Sequence, residues 1–459
     1  MKVKGGYNVH LEGRPREAVE ALAEPTVLHL PLRSQRFTFS QVGVKDGERV
    51  SFGQVLAMDP ACHSVPLLAP YGGTVRIEGT SNHITLEALV PRAKQAFNPE
   101  KNAGHFPHET DVAKELRRRL LALGAWQFFS DAHTEAVPDP FSDPQAVIVS
   151  TLSLEPFTAR GDVQMKENLS RFLAGLERLQ SLLEYQPIYL VLPDIHSAFA
   201  AHVRQALRGF AWLTAVDIPL RYGLGHSAVL ARALGLKRRQ DHPVWALRVE
   251  GVLAVDTALT HSQPCTDRIV SVGGPAAASP VHVRTMVGYP LRDILDSQAA
   301  VPDVRVINGG VLSGVEIGPD QLGLDAECTG LTVLPLPAER EFLSFLRPGW
   351  DRRSYSRCFL SALRRPFPEP LTAGRRGELR ACISCRFCEE VCPARIMPHL
   401  IHKYLYQEKL EEAQVAGVEL CVACGLCSFV CPSKIELCRQ FVDAQVLIRQ
   451  ELHGEGVKA

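Results

Sequence analysis

The sequence predicts a multidomain α+β protein that ends in a helical, cysteine-rich domain, and three observations predict it. The first ninety residues are short apolar runs between glycine turns, the pattern of an all-β unit. The middle of the chain alternates strand-like and helix-like stretches, the pattern of an α/β layer, before turning β-rich again. Near the C-terminal end, two closely similar cysteine runs are joined and followed by helical stretches. A chain of 459 residues has room for two to four domains with real cores. The expected divisions are 1–90, 91–240, 241–340, a basic connector 341–375 and a terminal domain 376–459.

In residues 1–90, the segment Gly43–Leu56 is followed by Leu68-Ala-Pro-Tyr-Gly-Gly-Thr-Val-Arg-Ile77. Together they resemble the two halves of a lipoyl/biotinyl-type barrel-sandwich hybrid. A swinging cofactor arm needs a lysine at the tip between the halves. The tip, Met58-Asp-Pro-Ala-Cys-His-Ser-Val65, has none, so a structural β-domain is expected.

Residues 91–240 open with a polar linker and a helix ending at Gly124, with Thr110 as its N-cap and Val112, Leu116, Leu120 and Leu123 at helical spacing. Arg117, Arg118 and Arg119 read as the solvated face of that helix, with phosphate binding as the alternative. Ala146–Ser150 is a buried-strand candidate, followed by a helix from about Val163 to Leu183, a strand over Pro187–Leu192 and a helix near Ser197–Gly209. Strand–helix–strand order implies parallel pairing with a right-handed crossover. No G-x-G-x-x-G opens a helix here. Gly223-Leu-Gly-His226 precedes a helix-like run and reads as a turn, with a phosphate seat as the alternative.

In 241–340, Val244–Val249 and Val252–Val255 read as a hairpin, Arg268–Pro275 as a strand running into a turn, Val281–Gly288 and Pro290–Leu295 as a strand and a short helix, and Val304–Gly314 as a further strand with a tight glycine turn. The connector carries Trp350-Asp-Arg-Arg-Ser-Tyr355 and Arg364-Arg-Pro-Phe-Pro-Glu-Pro370. It reads as a surface tether or as a docking strip for a partner.

The cysteine runs carry the chemistry. They read Cys382-Ile-Ser-Cys385-Arg-Phe-Cys388-Glu-Glu-Val-Cys392-Pro393 and Cys421-Val-Ala-Cys424-Gly-Leu-Cys427-Ser-Phe-Val-Cys431-Pro432. Each is C-x2-C-x2-C-x3-C-P, the spacing that holds cubane iron–sulfur clusters, in which the fourth cysteine serves the other cluster. Two [4Fe-4S] sites are expected: Cys382, Cys385, Cys388 and Cys431 for one, and Cys421, Cys424, Cys427 and Cys392 for the other. Zinc is the competing reading, but it normally takes two C-x2-C pairs, not two packed runs of four. The intervening Met397–Ala413 reads as one long helix, and Glu436–His453 as another. Glu389 and Glu390 beside the first run either lower its potential by charge or are plain surface residues.

Eight of the 13 cysteines lie in these runs. The other five, Cys62, Cys265, Cys328, Cys358 and Cys438, read as reduced core thiols, and cysteines given to metal point to a reducing compartment. Lys and Arg total 50, as do Asp and Glu, so no basic excess suggests a nucleic-acid partner. Neither a secretory leader nor a run of about 18 apolar residues is apparent, so no transmembrane helix is expected.

The order of parts resembles the RnfC/NqrA family, subunits of membrane-bound, ion-translocating NADH oxidoreductases. Val272-Gly-Gly-Pro275 with Val283-Arg-Thr-Met-Val-Gly288, and Asn308-Gly-Gly-Val-Leu-Ser-Gly314, are similar to segments of NqrA, from the Na+-translocating NADH:quinone reductase. The tail is similar instead to the α-helical ferredoxin of RnfC, since a typical NqrA lacks such clusters. The resemblance implies a barrel-sandwich N-terminus, a Rossmann-like α/β layer, a small β-grasp-like (SLBB-type) domain and a helical two-cluster ferredoxin. RnfC holds flavin and NADH on a glycine-rich loop that would follow Gly124. Trp126, Phe128 and Phe129 stand there and would obstruct it, so no flavin or NAD is expected on this subunit.

The expected function is therefore electron transfer through two clusters. The electrons would run between a soluble or subunit donor and flavin- or quinone-bearing membrane subunits. The protein is expected at the cytoplasmic face, peripheral, with no catalytic residue of its own. The alternatives are an assembly subunit with structural clusters, or a self-contained flavin-dependent NADH dehydrogenase subunit.

Overall fold

The structure is a computed structural model and describes all residues except 1–3, 78–81, 93–94, 96, 195–197, 240, 299–302, 337–378 and 456–459. The connector 341–375, with Cys358 and the proposed docking strip, lies outside the described residues.

The N-terminal unit is β throughout, as expected. Leu28–Pro31, His83–Val90, Gly72–Arg76 and Arg49–Val50 form one antiparallel sheet, and Gln41–Val42, Val55–Asp59 and Val65–Leu68 a second. Leu28, Leu30, Phe37, Leu56, Val75, Ile84 and Leu86 fill the core. Asp59 closes the tip between the halves: its carboxylate accepts from Thr38, Ala61 and Cys62 N–H groups. Such a hydrogen-bonded turn suits a fixed structural corner.

The central sheet has the order Leu213–Ile218, Ile188–Pro193, Ala146–Ser150, Val244–Arg248, Ser130–Asp131. The first four strands are parallel and the last is antiparallel. Ala146–Ser150 is buried at every position, the mark of a central strand covered on both faces. The chain builds outward from it to one side, then returns to its other side with Val244–Arg248. The crevice between these two strands is thus a topological switch point.

Val244–Val255 corrects the hairpin reading. Val244–Arg248 is a strand parallel to Ala146–Ser150, and Val249–Leu259 is a helix. Val249, Val252, Val255 and Leu259 recur at helical spacing, while Ala254 and Ala258 are buried as well. A helix buried nearly all round shows no clear stripe, and short apolar runs do not reveal their period. The helix packs on Gly161–Gln180, where Gly175 lets the backbones meet: any Cβ there would strike the Val252 carbonyl. These elements tie residues beyond 240 to the α/β sheet.

The arginine reading is also corrected. The helix is Val112–Ala122, capped by Asp111 rather than Thr110. Arg117 and Arg118 are buried. Arg117 donates to the Leu182 carbonyl and to Asp143 and stands 5.0 Å over the Trp245 ring. Arg118 pairs with Glu115, and Arg119 donates to Ser262. Arg117 and Arg118 lock the helix into the body rather than facing solvent, while Arg119 stays half-buried.

The third unit is a six-stranded mixed sheet of Asp267–Gly273, Val281–Met286, Val304–Asn308, Val315–Glu316 and Gly330–Pro335, with Val19–Ala21 on its edge. That edge strand, from the first ninety residues, runs parallel to Val281–Met286. The C-terminal unit is helical. The expected single helix over Met397–Ala413 is two, Pro398–Tyr406 and Leu410–Val415. Glu408 adopts φ 58° between them and turns the chain. The last helix is Leu437–Glu455. Among the described residues, no helix is long and apolar enough to cross a membrane.

Candidate iron–sulfur site

Each cysteine run begins as an irregular loop and enters a one-turn helix, Phe387–Glu390 or Leu426–Phe429. Left-handed residues bend the loops, Ser384 and Arg386 in the first, Ala423 and Gly425 in the second. Gly425 meets this demand at no steric cost. The bends turn successive thiols toward one side.

The structure gathers the thiols into two cavities. One is lined by Cys382, Cys385, Cys388 and Cys431, with His399, Pro432 and Ile435. The other is lined by Cys421, Cys424, Cys427 and Cys392, with Pro393, Ile396 and Phe441. The fourth thiol of each run thus stands in the other run's cavity. Cys438, read above as a scattered core thiol, also lines the second cavity.

Burial pushes the Cys388 thiol up to about 11 and the Cys421 thiol up to about 12. It also raises Cys392, Cys424 and Cys427. Backbone N–H groups oppose this: those of Ala394, Arg395 and Ile396 bond to the Cys392 sulfur, and Leu426 serves Cys424. N–H donors around desolvated thiols suit sulfurs that become thiolates on binding iron. Among the described residues no group of His, Cys, Asp or Glu is arranged to hold a single metal ion. The donor set of four thiols around each cavity fits a cubane.

The cluster domain is seated on the body through the second cavity's side. Tyr222 Oη donates to the Cys424 carbonyl at 2.8 Å, and the Gly6 N–H donates to the Val391 carbonyl at 3.0 Å. Val9, Leu11, Phe157, Tyr222, Leu426 and Val430 form the apolar seam. Arg232 donates to the Leu420 carbonyl at 3.0 Å and lies near Cys392 and Cys421. None of these body residues carried a signal in the sequence. Ile383, which lines the first cavity, is 67% exposed. His226, of the glycine pair's turn, lies 3.8 Å from Glu135. Its helix, Ser227–Ala233, is a short one whose N-terminus has no side-chain cap.

The switch-point crevice opens into a cavity of about 460 Å³. It is lined by Ser150, Arg248, Glu250, Asp325 and, from the second cysteine run, Val422 and Ala423. Burial pushes Glu250 and Asp325 up to about 6. Where a glycine-rich loop would follow Gly124, Trp126 stacks on Phe129 at 4.2 Å and meets Trp245 edge-on at 5.1 Å.

Comparison with known proteins agrees with this architecture. Residues 1–81 match the NqrA N-terminal barrel-sandwich hybrid domain and 112–206 the NqrA second alpha/beta domain. Residues 269–318 match the NQRA C-terminal domain and 378–435 a 4Fe-4S dicluster domain. The A subunit of the Na(+)-translocating NADH-quinone reductase of Pseudomonas aeruginosa PAO1 is 28% identical, with 91% of this chain and 92% of that protein covered. Its counterpart from Serratia proteamaculans is 25% identical over the same shares. A chain of an NAD+-reducing [NiFe]-hydrogenase aligns at TM-score 0.38 and 16% identity, covering 52% of this chain and 51% of its own. The chain is thus NqrA-like through its N-terminal, second and C-terminal NqrA domains, and it also carries a 4Fe-4S dicluster domain.

Proposed function

We propose that this subunit transfers electrons within an Nqr/Rnf-like, ion-translocating oxidoreductase, through two [4Fe-4S] clusters. When bound, the clusters supply one-electron transfer between a donor and flavin- or quinone-bearing membrane subunits. The observation that carries this reading is the pair of four-thiol cavities, each completed by the other run's fourth cysteine.

The residues take distinct roles in this reading. Cys382, Cys385, Cys388 and Cys431 hold the outer cluster, and Cys421, Cys424, Cys427 and Cys392 the inner one. Arg232 places positive charge beside the inner ligands and so favours the reduced state there. Tyr222 fixes the Cys421–Cys424 loop to the body. The outer cavity, lined in part by the exposed Ile383, is the natural face toward a partner subunit. The protein sits peripherally at the cytoplasmic face, held by protein contacts. The divisions are a barrel-sandwich domain, a Rossmann-like domain, an SLBB-type domain, the connector and the ferredoxin. The Trp126–Phe129 packing after Gly124 supports a subunit without its own flavin or NAD.

A second reading has its own observation. The switch-point cavity reaches Val422 and Ala423, so a flavin or nicotinamide held there would lie beside the inner thiols. Stoichiometric flavin on the purified chain would favour it.

The test is turnover of the assembled complex carrying Cys388→Ala. Loss of quinone reductase turnover, with the subunit still present in the purified complex, is expected. Turnover at the unsubstituted rate would assign the clusters a structural role.

A further inference from the structure

The two cysteine runs keep matching past their prolines. Aligned on the cysteines, Pro393 meets Pro432 and Ile396 meets Ile435. The backbone repeats as well: φ is 55° at Ser384 and 48° at Ala423, 65° at Arg386 and 74° at Gly425, 58° at Arg395 and 56° at Lys434. The following helices start at matching residues, Pro398 and Leu437. The next position pairs His399 with Cys438. His399 lines the first cavity and Cys438 the second. The halves are therefore alike in backbone and different in chemistry. One cavity has four sulfurs and an imidazole, the other five sulfurs.

A cubane has four iron corners, so the second cavity holds one thiol in excess. Cys438 is set as a ligand is set. It occupies the first turn of Leu437–Glu455, its N–H donates to Ser428 Oγ at 2.9 Å, and its sulfur accepts from the Gly425 N–H. It is near enough to Cys421 and Cys427 for its charge to bear on both.

We propose that Cys438 is a reserve ligand of the inner cluster, able to take the corner held by Cys392. The exchange breaks the iron–sulfur bond to Cys392 and forms one to Cys438. The Cys438 thiol gives up its proton, the freed Cys392 thiolate takes one up, and no iron changes oxidation state. Cys392 comes from the first run and Cys438 from the second. The exchange thus releases the inner cluster from the first run without opening it.

This inference rests on the two-cluster reading, and the experiment separates the two. The anaerobically purified full chain is compared with Cys392→Ala, Cys438→Ala and the double variant, by iron analysis and EPR. Cys392→Ala is expected to keep about eight iron atoms with a shifted inner-cluster signal, and the double variant about four. Cys392→Ala falling to about four, with the outer signal intact, overturns the proposal. So does a double variant that keeps both signals. Should Cys392→Ala not fold, Cys438→Ala decides: it keeps both clusters but loses the inner one faster to an iron chelator. Equal rates in the unsubstituted chain and Cys438→Ala overturn the proposal. An unsubstituted chain with no inner cluster strikes at the two-cluster reading instead.

Discussion

Replacing Cys431 with alanine is expected to remove the outer cluster, built on Cys382, Cys385 and Cys388, and to leave the cluster of its own run in place. Iron should fall from about eight to about four atoms per chain. The reason is placement. Cys431 follows Cys427 in sequence, yet lines the cavity of the first run, while Cys392 lines that of the second. One helical turn separates the third and fourth cysteine of each run, and it carries the fourth sulfur away from its sequence neighbours. The β-rich domains should stay folded, because their cores are separate from the cluster domain's. EPR of the reduced variant checks this. Loss of the Cys421-run signal with the other intact would refute crossed ligation.

Trp126→Ala is expected to destabilise the α/β unit by about 3–5 kcal/mol, read as a lower denaturant midpoint. Trp126 is fully buried, stacks on Phe129, meets Trp245 edge-on and donates its indole N–H to the Pro138 carbonyl at 2.9 Å. Alanine removes the ring, opens a cavity between the sheet and the helix Val112–Ala122, and orphans that carbonyl. The cluster signals should be unchanged, since Trp126 touches none of the thiols. An unchanged midpoint would mean that this aromatic group is not the core it is described as.

The grouping of the thiols was legible in the sequence because their spacing is local. Four cysteines at fixed spacing bring their sulfurs together wherever the chain places them, and the proline after each marks where it leaves. Ala146–Ser150 was legible for a related reason, since five buried residues in a row can only be covered on both faces. Val249–Leu259 was not, because its apolar residues face nearly every direction and hide the period. Arg117 and Arg118 misled because the partners that bury them, Leu182, Asp143 and the Trp245 ring around Arg117 above all, come from distant segments. A charged helix face reads as solvated until those segments close over it. Tyr222 and Arg232 belong to the same class: what they touch is set by domain docking, which leaves no local trace. Cys438 differs. Extending the alignment of the two runs by seven positions past the fourth cysteine pairs it with His399 and would have found it.

The most direct test of the account is metal analysis with EPR of the full chain, purified and reduced under strict anaerobiosis. The account predicts a brown protein with about eight iron atoms and matching sulfide, giving the signals of two reduced cubanes. A colourless protein that contains only zinc would contradict it.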